Sequence, residues 1–436
     1  MARQTFSAGD VSGLYEIDDT DHLYPAHINE LRKGAGQGPT LVVGQSLSVA
    51  PYIDIQTALN ALPAIGGEVF LQEGTYLLNQ ALTIPNNVRL RGVGLTSVIK
   101  IGDGLAVAGA TVTNSDKVTG ENIELCNFKI DGNAANNGGG AGVNMHGLQM
   151  HYVTNLNVHD IMIYNTSGHP IDIANCTRHS FINNLVTSPN SVYGSCVWSH
   201  MADYIISNNH IWDQHGKGIG LYGYTTSWGK GIVANNVVED CGFGIYSVAK
   251  DCIIANNQFY LDPSGRAGTR VIDILTDENI NMLTNVIIKG NYCYGGLWNG
   301  IYIGGYAERC LVEGNIVENC GQSTESDVYR HGILINDLNA SGKPTKYVNV
   351  LNNIVYNSGY GNAAGTAIGG ICHSGFNSNI QGNLCLDNQG IKTQDYGIIV
   401  DRDANHIITG NNVLGNLTGG ISHPTISTNI IEHNQE

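Results

Sequence analysis

Acids, bases, cations and aromatic rings recur at regular spacing between residues 169 and 273: His169, Asp172, Trp198, His200, Lys217, Tyr222, Arg270 and Asp273, with His215 and Tyr224 flanking them. Most fall in or just before a short phrase of the form Gly-Ile-x-Ile. Its copies are PIDI (170–173), GIGL (218–221), GIYS (244–247), GIYI (300–303), GILI (332–335) and GIIV (397–400). In a strand the two apolar residues of such a phrase face one way and the residue between them the other. The middle positions then read Asp172, Trp198, Gly220, Tyr246, Asp273, Tyr302, Leu334, Cys372 and Ile399. Two residues on stand His200 and Tyr222, and the strands are entered by His169, Lys217 and Arg270. A histidine near its ordinary pKa is a competent general base. Lys217 and Arg270 can neutralise an anion, and Trp198 would offer a flat platform. Tyr246 and Tyr302, taken singly, are expected as ordinary surface residues. A sparser set follows at His331, Asn336, Asp337, His373, Asp401 and Arg402.

Something must hold these residues in register. An asparagine recurs at Asn184, Asn209, Asn236, Asn257, Asn291, Asn315, Asn353, Asn383 and Asn411, inside phrases such as SNN, ANN, KGN and TGN. The intervals vary from 21 to 38 residues while the phrase stays fixed. That is the signature of a solenoid whose repeats stack on their neighbours. The asparagines are expected to stack as a hydrogen-bonded ladder with no chemical role. Adjacent rungs lie about 4.8 Å apart, so outward side chains on neighbouring rungs can reach one ligand.

Composition agrees. Charged residues are 13% of the 436, and glycine is abundant at 56. Few charges suit stacked strands, where like charges one rung apart would repel. The net charge of −16 argues against nucleic acid as a partner, which needs a basic stripe. No apolar run approaches the length of a membrane span, and MARQTFSAGDVSG lacks the apolar core of a secretory signal. The ten cysteines show no CxxC pair and read as buried free thiols, so no metal site is expected from them.

The chain divides into residues 1–42, an attachment or cap segment; 43–67, a capping-helix region; and 68–436, the solenoid. In the first, YPAHINELRKG (24–34) has the spacing of a short helix. In the second, YIDIQTALNALPAIGG (52–67) puts Ile55, Leu59 and Leu62 on one helical face. A helix there would cover an open strand edge, and none is needed after residue 68. Long excursions at 261–270, 320–330 and 360–366 would wall a groove.

These phrases together resemble the single-stranded right-handed parallel β-helix of pectate lyases, polygalacturonases, alginate-modifying enzymes and phage tailspikes, an all-β fold class. The likeness covers about residues 45–436. The front segment resembles attachment pieces of phage structural proteins. GGEVFLQEGTY (66–76), VRLRGVGLTSVIKIGDG (88–104) and FKIDGN (128–133) are similar to phrases of mannuronan epimerase modules. Where that family carries Tyr-Gly-Phe-Asp-Pro-His-Glu, this chain has HPIDIAN (169–175): Asp172 matches the Asp, His169 stands for the Tyr, and Ala174 and Asn175 replace the His and Glu.

The resemblance implies a polysaccharide substrate and an extracellular or virion-associated setting, and tailspikes imply a homotrimer. Two chemistries are open. In one, Lys217 or Arg270 neutralises a uronate carboxylate while His200, His169 or Tyr222 removes the adjacent proton, giving a lyase or an epimerase. In the other, Asp172 and Asp273 act as the carboxyl pair of a glycoside hydrolase, which needs about 5–9.5 Å between them. Four rungs separate them, about 19 Å, so the first is preferred. Trp198, His215, Tyr224, Arg270 and Asp273 would bind substrate. No cofactor is required, although Asp273, Asp277 and Glu278 could hold calcium as pectate lyase carboxylates do. A non-catalytic glycan-binding spike is the third reading.

Overall fold

The recurring asparagines form one continuous hydrogen-bonded column. Each donates its backbone N–H and its side-chain Nδ2 to the Oδ1 of the next, at 2.9–3.0 Å from Asn184 to Asn411. The column runs one step further than the sequence suggested, to Asn434. Nδ2 also caps a strand carbonyl behind it, as Asn257 does to Val233. The residue before each ladder asparagine sits in the left-handed region: Asn256 at φ 55°, Gly290 at φ 63°. Only glycine and asparagine visit that region cheaply, which explains why the phrase is always NN or GN until His433 (φ 54°).

The computed structural model describes residues 38–436 apart from 106–108, 138–144, 189–193, 223–229, 249, 262–269, 276–282, 324–329, 338–343, 360–366, 403 and 425–427, plus two short strands near the front. Its repeats build a right-handed parallel β-helix with sheets of 16, 12 and 13 strands. One turn contributes Thr177–Ile182, Leu185–Thr187 and Cys196–Ser199 to the three sheets in order. Every pairing within them is parallel, each strand bonding to its counterpart one turn away, as Ile171–Ala174 does to Cys196–Ser199.

Alternation sets the interior. In the 13-stranded sheet the inward column runs Met150, Ile173, Trp198, Leu221, Ser247, Ile274, Ile303, and its apolar members are all buried. Each large one contributes about 1.5–3 kcal/mol by leaving water. The ten cysteines are all free and buried.

The capping helix forms at Ile55–Ala61, with Asp54 accepting from Thr57 N–H at 2.7 Å as N-cap and Ile55, Ala58 and Leu59 buried. A second helical turn, Ala134–Asn137, was not anticipated; Asn137 Nδ2 ties it to the Gly102 carbonyl at 2.8 Å. At the front, Tyr15–Ile17 and Leu23–Pro25 pair antiparallel. The helix expected over 24–34 therefore gives way to strand at Tyr24 and Pro25, and its remainder lies outside the described residues. Most of the three expected wall segments lie outside them too. Among the described residues no helix is long and apolar enough to cross a membrane.

Candidate functional site

The outward column of the 13-stranded sheet runs Thr113, Gln149, Asp172, Val197, Gly220, Tyr246, Asp273, Tyr302, Leu334, Cys372, Ile399. One expected member is displaced. Trp198 pairs with Ile173 and not with Asp172. It is fully buried, with its ring edge-on to Phe181 at 5.5 Å, so it is core and no platform. The phrase CVWS has Cys196 and Trp198 facing inward, and a one-residue slip sends every side chain of a strand to the opposite face. The same slip displaces His200. Ser199, not His200, stands level with Tyr222, and His200 occupies the following turn at φ 52°, giving its N–H to the Tyr222 carbonyl. His215 lies exposed in the turn before Lys217, and Tyr224 is outside the described residues.

The remaining candidates fall into two patches. The first spans the rungs of Thr113, Gln149 and Asp172. The Asp172 carboxylate accepts from Gln149 Nε2 at 3.0 Å and lies 3.1 Å from His151 Nε2. Burial would raise its pKa, but the His151 and Gln149 hydrogen bonds outweigh that and hold it at about 2. The carboxylate is therefore an acceptor only, so His151 Nε2 carries a proton toward it and Nδ1 is the nitrogen turned away from it. His169 stacks on His146 with ring centroids 5.2 Å apart and planes 6° from parallel. The His169 N–H donates to His146 Nδ1 at 2.9 Å, and His169 Nδ1 lies 3.1 Å from the Ser195 carbonyl. Burial, then the neighbouring His169, lowers the His146 pKa and favours a neutral ring. Lys117 reaches this patch from the turn after Gly109–Asn114, donating to Thr113 Oγ1 and to Asn114 Oδ1. Burial lowers its pKa while Asp172 works the other way.

Lys117, His146, Gln149 and His151 were missed in the sequence. The strand of the last three, MHGLQMH, has no Gly-Ile-x-Ile phrase, and both it and Lys117 precede the first ladder asparagine. The alternation of Leu148 and Met150, both buried, was the available signal.

The second patch lies on the rungs from Gly220 to Tyr302. Lys217 Nζ sits 4.9, 5.3 and 5.5 Å from the ring centres of Tyr246, Tyr222 and Phe243. Tyr222 and Tyr246 are themselves 5.2 Å apart, so Tyr246 belongs to a cluster and is not an isolated surface ring. Arg270 Nη1 contacts both Asp273 oxygens, at 3.0 and 3.1 Å, and its guanidinium lies 3.8 Å above Tyr302, which is buried and not surface. Burial pushes the Asp273 pKa up to about 6 against the pull of Arg270 and Lys217. Asp277 and Glu278 are outside the described residues, so the expected calcium set reduces here to an arginine-bound Asp273. Register confirms four rungs between Asp172 and Asp273, about 19 Å.

In the sparser downstream set, Asp401 lies near enough to the buried His331 to oppose the fall in its pKa. Arg402 pairs with Asp337 at 2.6 Å and Ser374 with Asp401 at 2.7 Å. His331 and His373 are buried, with His373 in the inward column.

No family model matches the sequence, and no curated protein matches it either. Solved structures do resemble it. The A-module of Azotobacter vinelandii mannuronan C-5 epimerase AlgE4 gives a TM-score of 0.58 at 16% identity, covering 92% of this chain and 99% of that one. The AlgE6 A-module of the same organism gives 0.56 at 17%, over 87% and 93%. Tailspike protein 3 of bacteriophage CBA120 gives 0.55 at 12%, over 97% of this chain and 64% of that one. At these identities the likeness is one of fold: the chain is a parallel β-helix of the kind seen in those epimerase modules and that tailspike.

Proposed function

We propose that the chain acts on an acidic polysaccharide by removing the proton next to a uronate carboxylate, as a lyase or an epimerase. The observation that carries this reading is the first patch, where an anionic Asp172, a His151 it orients, a stacked histidine pair and Lys117 share three neighbouring rungs. Neutralising the substrate carboxylate makes the adjacent C–H more acidic, and Lys117 supplies that charge. His151 Nδ1 then takes the C5 proton, with Asp172 fixing the tautomer as the carboxylate of a catalytic triad does. In elimination the electrons form the C4=C5 double bond, the C4–O4 bond breaks and O4 leaves with the proton that His151 has taken from C5. In epimerisation His151 keeps that proton and His169, in its imidazolium form, returns one to the opposite face of C5.

The polymer lies along the sheet, and Lys217 with Tyr222 and Tyr246 holds a neighbouring sugar by charge and stacking. Arg270 and Asp273 border that subsite. The scheme asks for no cofactor, and EDTA treatment with calcium add-back checks for one. A homotrimer in an extracellular or virion-associated setting goes with this proposal, and light scattering of the full chain tests the trimer.

The deciding experiment incubates the chain with alginate, pectate and neutral glucans. It follows the ultraviolet absorbance of a new double bond and the exchange of the C5 proton in heavy water. Absorbance identifies a lyase, and exchange without absorbance an epimerase. Reducing ends alone, or glycan binding with neither signal, would overturn the proposal in favour of a hydrolase or a non-catalytic spike.

A further inference from the structure

A different face of the solenoid, the 16-stranded sheet, carries a group of side chains that the proposed reaction does not use. Glu124 and Cys126 point outward from Gly120–Cys126, and His159 stands level with Cys126 on the next strand. One ligand atom from each, a carboxylate oxygen, Sγ and a ring nitrogen, lies within 4.8 Å of the other two. Glu124 Oε1 and His159 Nε2 are 3.0 Å apart. A tetrahedral zinc site with bonds of 2.0–2.3 Å has ligand atoms about 3.3–3.8 Å from one another, so small rotations would close the group around one ion.

The surroundings suit a metal as well. His159 Nδ1 is bound to the Asp160 carboxylate at 2.7 Å, which leaves Nε2 as the ligating nitrogen and is the usual outer support of a metal-binding histidine. With Cys126 as thiolate, four negative groups meet here: Cys126, Glu124, Glu68 and Asp160. Arg89 and Arg91, paired with Glu68 at 3.4 and 2.8 Å, offset two of them. The remaining two match a dication. Arg89 Nε forms an ion pair with Glu124 Oε1 at 3.4 Å without hydrogen-bond geometry, so a metal would compete with it for that oxygen. Cys126 and Glu124 are buried, while Asp160 has a side-chain exposure of 45% and opens the approach beside His159.

We propose that Glu124, Cys126 and His159 bind a borderline divalent cation, zinc being the type, with Asp160 as the supporting carboxylate. A mixed sulfur, nitrogen and oxygen set selects zinc over calcium, which takes oxygen ligands. With three protein ligands, a fourth position is left for water. The proposal is independent of the reaction above.

The test titrates the purified full chain with zinc against a chromophoric chelator, and with cobalt to read the thiolate-to-metal charge-transfer band. One ion per chain is expected, with a zinc-dependent rise in Tm that calcium does not give. Cys126→Ser should abolish the cobalt band, His159→Gln should weaken binding at least tenfold, and Asp160→Asn should weaken it about tenfold. Cys310→Ser, at a buried thiol elsewhere, should change nothing. Circular dichroism confirms that each variant is folded, and Glu124→Gln replaces any that is not. The absence of stoichiometric zinc binding by the wild type would overturn the proposal, as would binding that survives both Cys126→Ser and His159→Gln.

Discussion

The two outward patches use similar residue types to opposite effect. Each has a carboxylate, a lysine and ring systems on the same sheet, four rungs apart. Asp172 is a part-buried acceptor with an amide and a histidine aimed at it, and it stays ionised down to about pH 2. Asp273 is nearly sealed, and even with Arg270 in contact its burial raises it to about 6. The number of charges nearby does not decide protonation. How much water each carboxylate loses, set against the hydrogen bonds it gains, does. The first patch thereby fixes a histidine on an ionised carboxylate, and the second presents a cation on an aromatic floor.

The largest expected effect separates the two by activity. On whichever uronate polymer is turned over, His151→Ala should lower kcat by about 10²–10⁴, the usual contribution of a general base, with little change in KM. Lys117→Met should cost about 10²–10³ in kcat/KM, as for the loss of one group that stabilises developing charge. If Lys217→Met proves as damaging to kcat as Lys117→Met, the roles assigned to the patches are reversed.

A second contrast is in stability against pH. The Asp172 pKa lies below its unfolded value, so its contribution is present above about pH 4 and is lost as pH falls through about 2. The Asp273 pKa lies above its unfolded value, so its contribution is present below about pH 4 and is lost as pH rises through about 6. Each amounts to something on the order of 2 kcal/mol across its window. Urea titrations of Asp172→Asn and Asp273→Asn across pH 2–7 should remove slopes of opposite sign. Slopes of the same sign would dissolve the contrast. The smallest effect is expected from Tyr246→Ala, which should raise KM about tenfold through lost stacking and leave kcat in place.

The frame was legible in the sequence because it repeats. Asn184 to Asn411 carries the ladder, and each Gly-Ile-x-Ile phrase reports its own inward face. Where a rung departs from the phrase, the reading fails. CVWS offers two apolar residues that could face either way, and Trp198 was assigned outward when its bulk fills the interior against Phe181. Trp198→Ala should therefore cost about 3–5 kcal/mol of stability, measurable by denaturation, where a surface platform would cost little. His146, His151 and Lys117 were overlooked for a related reason. They precede the periodic region, and their convergence on Asp172 depends on pairing across rungs that no local pattern announces.

The ladder has a consequence for how such a surface can change. Spacings between successive ladder asparagines range from 21 to 38 residues, yet the contact between them stays at 2.9–3.0 Å. The column works as a ruler that measures rungs and ignores the length of chain between them. Segments bulging out between strands can lengthen, shorten or be exchanged without shifting the strands they join. The segments around the Lys217–Asp273 patch are thus interchangeable parts on a fixed rail, and the surface beside that patch can change without disturbing the rail.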